Sequence, residues 1–262
     1  MKKKRVIALS IVLGIIVVAI IFCCTVFRLN RIDIEFISQT EASFDVTKQQ
    51  ILDAGNFKMG SNLLFTKYDE NIANIEKQCA NLKVVKIVKK FPNKMSVYVR
   101  EREGQLRIKD NEGYYYIFDE EMKVINITAT YDDYKDYCEC DFEGFELPND
   151  LQLGDFLTSG ETKDKMLGLV NSIYSAGRTP MSIMSNILFE YDAAVRDYVY
   201  TFNFKTGAKV RITGEQNVSE RAFNGMVSYN SVSQTYSAEE LLRLKIDVKL
   251  NGQCVIKLSE DW

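Results

Sequence analysis

Residues 83–101 read KVVKIVKKFPNKMSVYVRE, and this stretch decides how the first half of the chain folds. Two runs rich in β-branched residues flank Phe91-Pro92-Asn93. Proline presets a turn φ and offers no N–H to a ladder, so the chain reverses there and the runs pair as a hairpin. In the second run Met95, Val97 and Val99 alternate with Ser96, Tyr98 and Arg100, the period of a half-buried strand. The same logic places Val85 and Ile87 together on one face of the first run. Lys86, Lys89, Lys90 and Lys94 form a basic patch on the hairpin. Such a patch suits anionic headgroups or an acidic partner, and surface lysines also discourage edge pairing.

Upstream, Ile72, Ile75, Cys79 and Leu82 recur at helical spacing, so residues 68–81 form a helix with these four on one face. Cys79 is thereby a core residue. Thr47 and Gln50 have the spacing of a capping box ahead of Ile51 and Leu52, and Gly55 suits the position just past the helix end. Ile32, Ile34 and Phe36 alternate with Asp33 and Glu35 as a strand. The order is β-α-α-β-β in about 70 residues, a small α+β domain.

Further upstream, residues 6–27 read VIALSIVLGIIVVAIIFCCTVF, 22 residues without a formal charge. A helix of that length rises about 33 Å, enough for a hydrocarbon core of about 30 Å. Lys2, Lys3, Lys4 and Arg5 precede it and favour an N-in orientation. The span is longer than the apolar region of a signal peptide, and its end lacks small residues for cleavage. The expected layout is a cytoplasmic tail (1–5), a single transmembrane helix (6–27) and an extracytoplasmic remainder lying directly against the membrane.

Composition narrows the chemistry. The 33 Lys+Arg residues face 36 Asp+Glu, and four of the cations sit in the first five residues, so the remainder is acidic and unsuited to nucleic acid. There is no histidine, which removes Ser-His-Asp and Cys-His machinery and histidine metal sites. Cys138-x-Cys140 lacks partners at metal-ligand spacing, and the cysteines outside the span read as buried thiols with at most one bridge. Gly55 and Gly60 have phosphate-loop spacing but are followed by Ser61-Asn62 rather than Lys-Ser/Thr. Asp119-Glu120-Glu121 and Asp132-Asp133 lack EF-hand spacing and read as solvated turns.

Two motifs at this spacing resemble the FtsQ/DivIB family of bacterial cell-division proteins. Its membrane-proximal POTRA domain carries a Gly-Ser/Asn-Asn-Leu turn between helices and a basic-x-Phe/Tyr-Pro-Asn-x-hydrophobic hairpin ending in Glu-Arg. Here these are Gly60-Ser61-Asn62-Leu63 and the run from Lys89 through Phe91-Pro92-Asn93 to Glu101-Arg102. The Val-x-Gly-Asn that often follows the first strand is replaced by Ile37-Ser38-Gln39-Thr40. Beyond Arg102, residues 114–118 and 123–127 look like the family's next hairpin. Residues 186–192, 198–204 and 208–213 read as successive antiparallel strands, with Lys205-Thr206-Gly207 turning one pair. A helix near 219–229 follows, then strands 243–250 and 253–258 joined by Asn251-Gly252, a two-residue hairpin signal.

The fold class expected is α+β: the helical anchor, a POTRA domain over 28–102, and a mostly antiparallel β domain with flanking helices over 103–262. The resemblance implies a non-catalytic divisome scaffold at the division septum, with no cofactor or metal. Its partners would be FtsL-like and FtsB/DivIC-like bitopic proteins, and through them the septal peptidoglycan synthases. An edge strand offers unpaired main-chain groups to an added strand. The positions matching the family's partner edge are Lys249 and Leu250 on the penultimate strand and Val255, Ile256 and Leu258 on the last. The alternative is a POTRA-bearing, membrane-anchored secretion or assembly chaperone. A wall-degrading enzyme would be left with Ser-Lys chemistry, and no S-x-x-K box stands with companion motifs.

Overall fold

The computed structural model describes residues 2–37, 46–157 and 160–259, with residues 2–10 as backbone alone. The chain divides into two compact units, residues 1–101 and 102–262.

The first unit opens with helix α1 (Lys2–Val26) and strand β1 (Arg31–Phe36). Helices α2 (Lys48–Gly55) and α3 (Asp69–Gln78) and strands β2 (Leu82–Lys90) and β3 (Lys94–Glu101) follow. The sheet order is β1-β3-β2, with β1 parallel to β3 and β2 antiparallel to it. Met95, Val97 and Val99 are buried against Ile34, Ile51, Leu63, Ile75 and Leu82. Fully burying side chains of this size stabilises by about 1.5–3 kcal/mol each. Both capping-box bonds form at Thr47 and Gln50. Among the described residues no helix is long and apolar enough to cross a membrane. The expected tail and residues 6–10 of the expected span have no described side chains, and Ser38-Gln39-Thr40 lies outside the described residues.

Two local expectations for this unit are corrected. Gly55 is the last residue of α2, and Asn56 takes the left-handed position at φ 47°. Asparagine tolerates that conformation because its short side chain bonds locally. Val85 does not join Ile87 on the core face. The register passes from Val84 opposite Val99 to Lys86 opposite Tyr98, leaving Val85 as the extra, exposed residue of a β-bulge. The bulge puts Val84 and Ile87, three apart, on the same side.

The second unit holds β4 (Leu106–Lys109), β5 (Tyr115–Phe118), β6 (Val124–Thr128), α4 (Tyr131–Tyr134) and β7 (Cys138–Phe142). Next come α5 (Glu161–Ser175), α6 (Pro180–Ile183), β8 (Met184–Asp192), β9 (Asp197–Phe204) and β10 (Lys209–Thr213). It ends with α7 (Val218–Val232), α8 (Ala238–Leu242), β11 (Leu244–Val248) and β12 (Cys254–Leu258). The strands form a nine-stranded sheet in the order β12-β11-β10-β9-β8-β7-β4-β5-β6. Antiparallel pairs are in the majority, but β4–β7, β7–β8 and β10–β11 are parallel. Parallel neighbours need a crossover rather than a hairpin, and α5–α6 and α7–α8 supply the last two.

Helices α5 and α7 pack on each other, and α7 lies on β10 and β11. Met166, Leu169, Val170 and Ile173 of α5 and Ala222 and Met226 of α7 join the core. A Cβ on Gly225 would sit 2.7 Å from Val210 Cγ1 and 3.2 Å from Val248 Cγ2, so glycine sets how closely α7 approaches the sheet. The solvated-turn reading of Asp119 is overturned: this carboxylate is fully buried and pairs with Arg102. It also accepts the N–H groups of Glu121 and Lys123 at 2.8 and 2.9 Å. Asp132 and Asp133 are exposed. None of the six cysteines forms a disulfide among the described residues.

Candidate interaction edge

The edge is built by the last hairpin. Leu244, Ile246 and Val248 of β11 are buried beneath α7, because alternate residues of a strand share one face. The chain then turns through residues 249–253. Gly252 N–H donates to the Lys249 carbonyl at 2.9 Å, and Gly252 has φ 79°. Leu250 and Asn251 are therefore the central turn residues, and Gly252 takes the left-handed position of a longer hairpin loop. This corrects the two-residue Asn251-Gly252 turn. It also corrects Lys249 and Leu250, which lie past the end of β11 rather than on it. Leu250 points out of the turn at 65% exposure, and Lys249 pairs with Asp247.

β12 is the terminal strand of the sheet. Lys249 N–H donates to the Gln253 carbonyl at 2.8 Å, and Ser259 N–H to the Arg243 carbonyl at 2.9 Å. In an antiparallel ladder, residue pairs that exchange bonds alternate with pairs that do not. The register thus bonds Val255 to Asp247 and Lys257 to Lys245, and turns the main-chain groups of Cys254, Ile256 and Leu258 away from β11. These three lie opposite Val248, Ile246 and Leu244 and share their face. Cys254 still packs against the core, while Ile256 and Leu258 are 39% and 43% exposed. Val255 and Lys257 point to the other face.

The opposite end of the sheet differs. Val124 of β6 donates to Asp155 at 2.8 Å and accepts from Gly154 at 2.9 Å, so residues 154–155 cover the first residue of that edge. The parity of β12 is what sequence reasoning missed. It made no distinction between Val255, whose N–H faces inward, and Ile256, whose N–H faces outward, and it left out Cys254. The exposed alternation in Cys254–Leu258 signals a strand but not which side bonds.

Three of the four hairpin lysines in the first unit share a face, and Lys89 does not. Lys90 lies opposite Lys94, and Lys86 opposite Tyr98, so these share one face of the hairpin. Lys86 sits over the Tyr98 ring, 4.8 Å from its centroid, and Lys90 bonds Glu35 at 2.9 Å. That bond, with a second from Ser96, holds the Glu35 carboxyl below its usual range. Lys89 lies opposite Met95 on the other face, donating to the Thr66 carbonyl at 2.9 Å. Strand alternation splits the patch.

A family model described as "POTRA domain, FtsQ-type" matches residues 44–102. Two relatives named "Cell division protein DivIB", from the Hall and Loch Maree strains of Clostridium botulinum, are each 30% identical over 114 residues. The aligned stretch covers 44% of this chain and 42% of each relative, so the chain spans under half the length of the curated relatives it matches. With a β-α-α-β-β unit that closes on Glu101 and leads into Arg102, the chain is thus similar over this stretch to an FtsQ-type POTRA domain and to the DivIB cell-division proteins.

Proposed function

We propose that this chain is a membrane-anchored, non-catalytic scaffold of the division septum, whose β12 edge receives an extended segment of a bitopic FtsL-like or FtsB/DivIC-like partner. The observation that carries the reading is the outward set of main-chain groups at Cys254, Ile256 and Leu258 on a terminal strand. An incoming strand would continue the ladder, and its alternate side chains would meet Ile256 and Leu258 beside α7. The POTRA domain, residues 28–102, holds the β domain, residues 103–262, outside the membrane, and the scaffold acts on septal wall synthesis through its partners.

Anchoring is part of the proposal. The uncharged run of residues 6–27 behind four cations supports it, as does the surface of α1. Ile11, Leu13, Ile15, Val18, Ile21 and Phe22 are each more than half exposed. A helix that is apolar on every side needs an apolar surrounding.

The test is binding of the full chain, in detergent, to the extracytoplasmic segments of the partner proteins. Ile256→Pro removes an outward donor and leaves the bonds of Val255 and Lys257 to β11, so it should abolish binding while circular dichroism stays unchanged. Undiminished binding by this variant would move the site elsewhere. Absence of binding by the wild-type chain would overturn the scaffold reading.

A further inference from the structure

The end of the first unit nearest α1 is tied to that helix by several bonds. Asn62 Nδ2 donates to the Cys23 carbonyl at 3.0 Å, satisfying one of the acceptors left open at a helix C-terminus. Leu63 N–H donates to the Phe27 carbonyl at 2.8 Å, and Leu29 N–H to the Ser61 carbonyl at 2.8 Å. The Gly60–Leu63 turn is therefore held against the last turn of α1 and the residues that leave it. The parallel register of β1 and β3 sets Arg31 beside Lys94, and Asn30 N–H donates to the Asn93 carbonyl at 2.9 Å. This brings the tip of the β2–β3 hairpin to the same end.

That end exposes large apolar side chains. Phe65 is 78% exposed and Phe91 56%, with Leu64 and Met59 exposed beside them. The Phe91 ring meets Phe27 edge-on, with centroids 5.6 Å apart, directly beyond the helix. Exposed lysines Lys58, Lys67 and Lys94 flank these groups. Apolar and aromatic groups with cations between them, set level with the end of a membrane helix, have the composition of a bilayer interface.

We infer that this end of the first unit is a lipid contact: Leu64, Phe65 and Phe91 enter the interfacial layer of the membrane that α1 crosses, and Lys58, Lys67 and Lys94 meet phosphates of its anionic lipids. The inference rests on the reading of α1 as a membrane span. Turn and hairpin tip grip the surface at two points beside the helix, so the first unit stands upright on the membrane instead of swinging from residue 28.

The test uses the full chain with its sole tryptophan removed (Trp262→Phe) and one tryptophan introduced at a time, by Phe65→Trp, Phe91→Trp or Gln78→Trp. Gln78 is exposed at the C-terminal end of α3, where the chain turns into the far end of β2 from the tip. Each variant is reconstituted into phosphatidylcholine–phosphatidylglycerol vesicles with brominated acyl chains, and flotation after carbonate washing reports insertion. The expected result is blue-shifted, quenched emission at positions 65 and 91 and unquenched emission at 78. Chains that float but show no quenching at 65 and 91 would overturn the lipid contact and leave the anchor standing. Equal quenching at all three positions would also overturn it, since the unit would then lie flat on the lipid. Chains that fail to float would overturn the anchor and the contact with it.

Discussion

The Arg102 guanidinium donates to the Asp119 carboxylate with both side chains wholly out of solvent. A second carboxylate, that of Glu121, lies 2.7 Å from the same nitrogen and is partly exposed. The pair fixes the first residue of the second unit to the turn between β5 and β6. Asp119 is further held by two main-chain N–H groups, so its charge is well solvated by the protein.

Removing the guanidinium leaves the Asp119 charge buried without it, which costs about 3–5 kcal/mol, whereas removing Asp119 leaves Arg102 still paired with Glu121 and costs less. Arg102→Met should lower the second unit's unfolding free energy, read from urea melts, by that amount, and Asp119→Ala should lower it by less. A double variant, Arg102→Met with Asp119→Leu, should recover much of the loss, because no uncompensated charge remains. If each single variant lost less than about 1 kcal/mol, the pair would be no more than an ordinary surface bridge.

Gly225→Ala tests how α7 sits on the sheet. The added methyl would meet Val210 and Val248, side chains of two buried strands that have little room to yield. Overpacking of this kind costs about 1–3 kcal/mol. Because α7 also touches β12, the variant should weaken partner binding more than its stability loss alone explains. Titration calorimetry at a temperature where both proteins are fully folded separates the two effects.

What could be read in the sequence followed local rules. The capping box at Thr47 and Gln50, the alternation in β3 and the reversal at Pro92 each depend on neighbours within a few residues, and each forms as read. The misread positions depend on distant partners. Nothing near Asp119 announces that Arg102, seventeen residues earlier, neutralises it. Strand β7, Cys-Glu-Cys-Asp-Phe, looks too acidic for an interior strand, yet Cys138, Cys140 and Phe142 are buried between β4 and β8 while Glu139 bonds Arg107. The bulge at Val85 and the parity of β12 are set by register, which the strand's own residues do not encode. The edge itself was legible from its place at the end of the chain's strand order; the residues that face outward were not.

Thiol reactivity follows from burial. Cys138 and Cys140 lie wholly inside the second unit, and burial pushes both thiols far above their ordinary range. The thiolate is the reactive form, so these two stay inert near neutral pH. Cys254 is half-buried on the outer strand. Brief iodoacetamide treatment should alkylate Cys254 in the native chain and spare Cys79, Cys138 and Cys140, with all four modified in denaturant. Peptide mass spectrometry reads the result. Bound partner should also protect Cys254, since the added strand covers its main-chain groups.

Tyr200 offers a prediction with a pH sign. Its ring is buried in the core of the second unit and its hydroxyl has no hydrogen-bond partner among the described residues. Burial pushes the phenol up to about 12, whereas in the unfolded chain it titrates near 10. Between those values the unfolded state releases the proton and the native state keeps it, so stability is whole below about pH 10 and falls as pH rises toward 12. Tyr200→Phe removes both the buried unpaired hydroxyl and this titration. The variant should be more stable than wild type by about 1 kcal/mol near neutral pH, and its advantage should widen in alkaline urea melts. The other tyrosines titrate in both proteins and cancel in the difference. An advantage that stayed flat with pH would mean that Tyr200 ionises in the native state as readily as in the unfolded one.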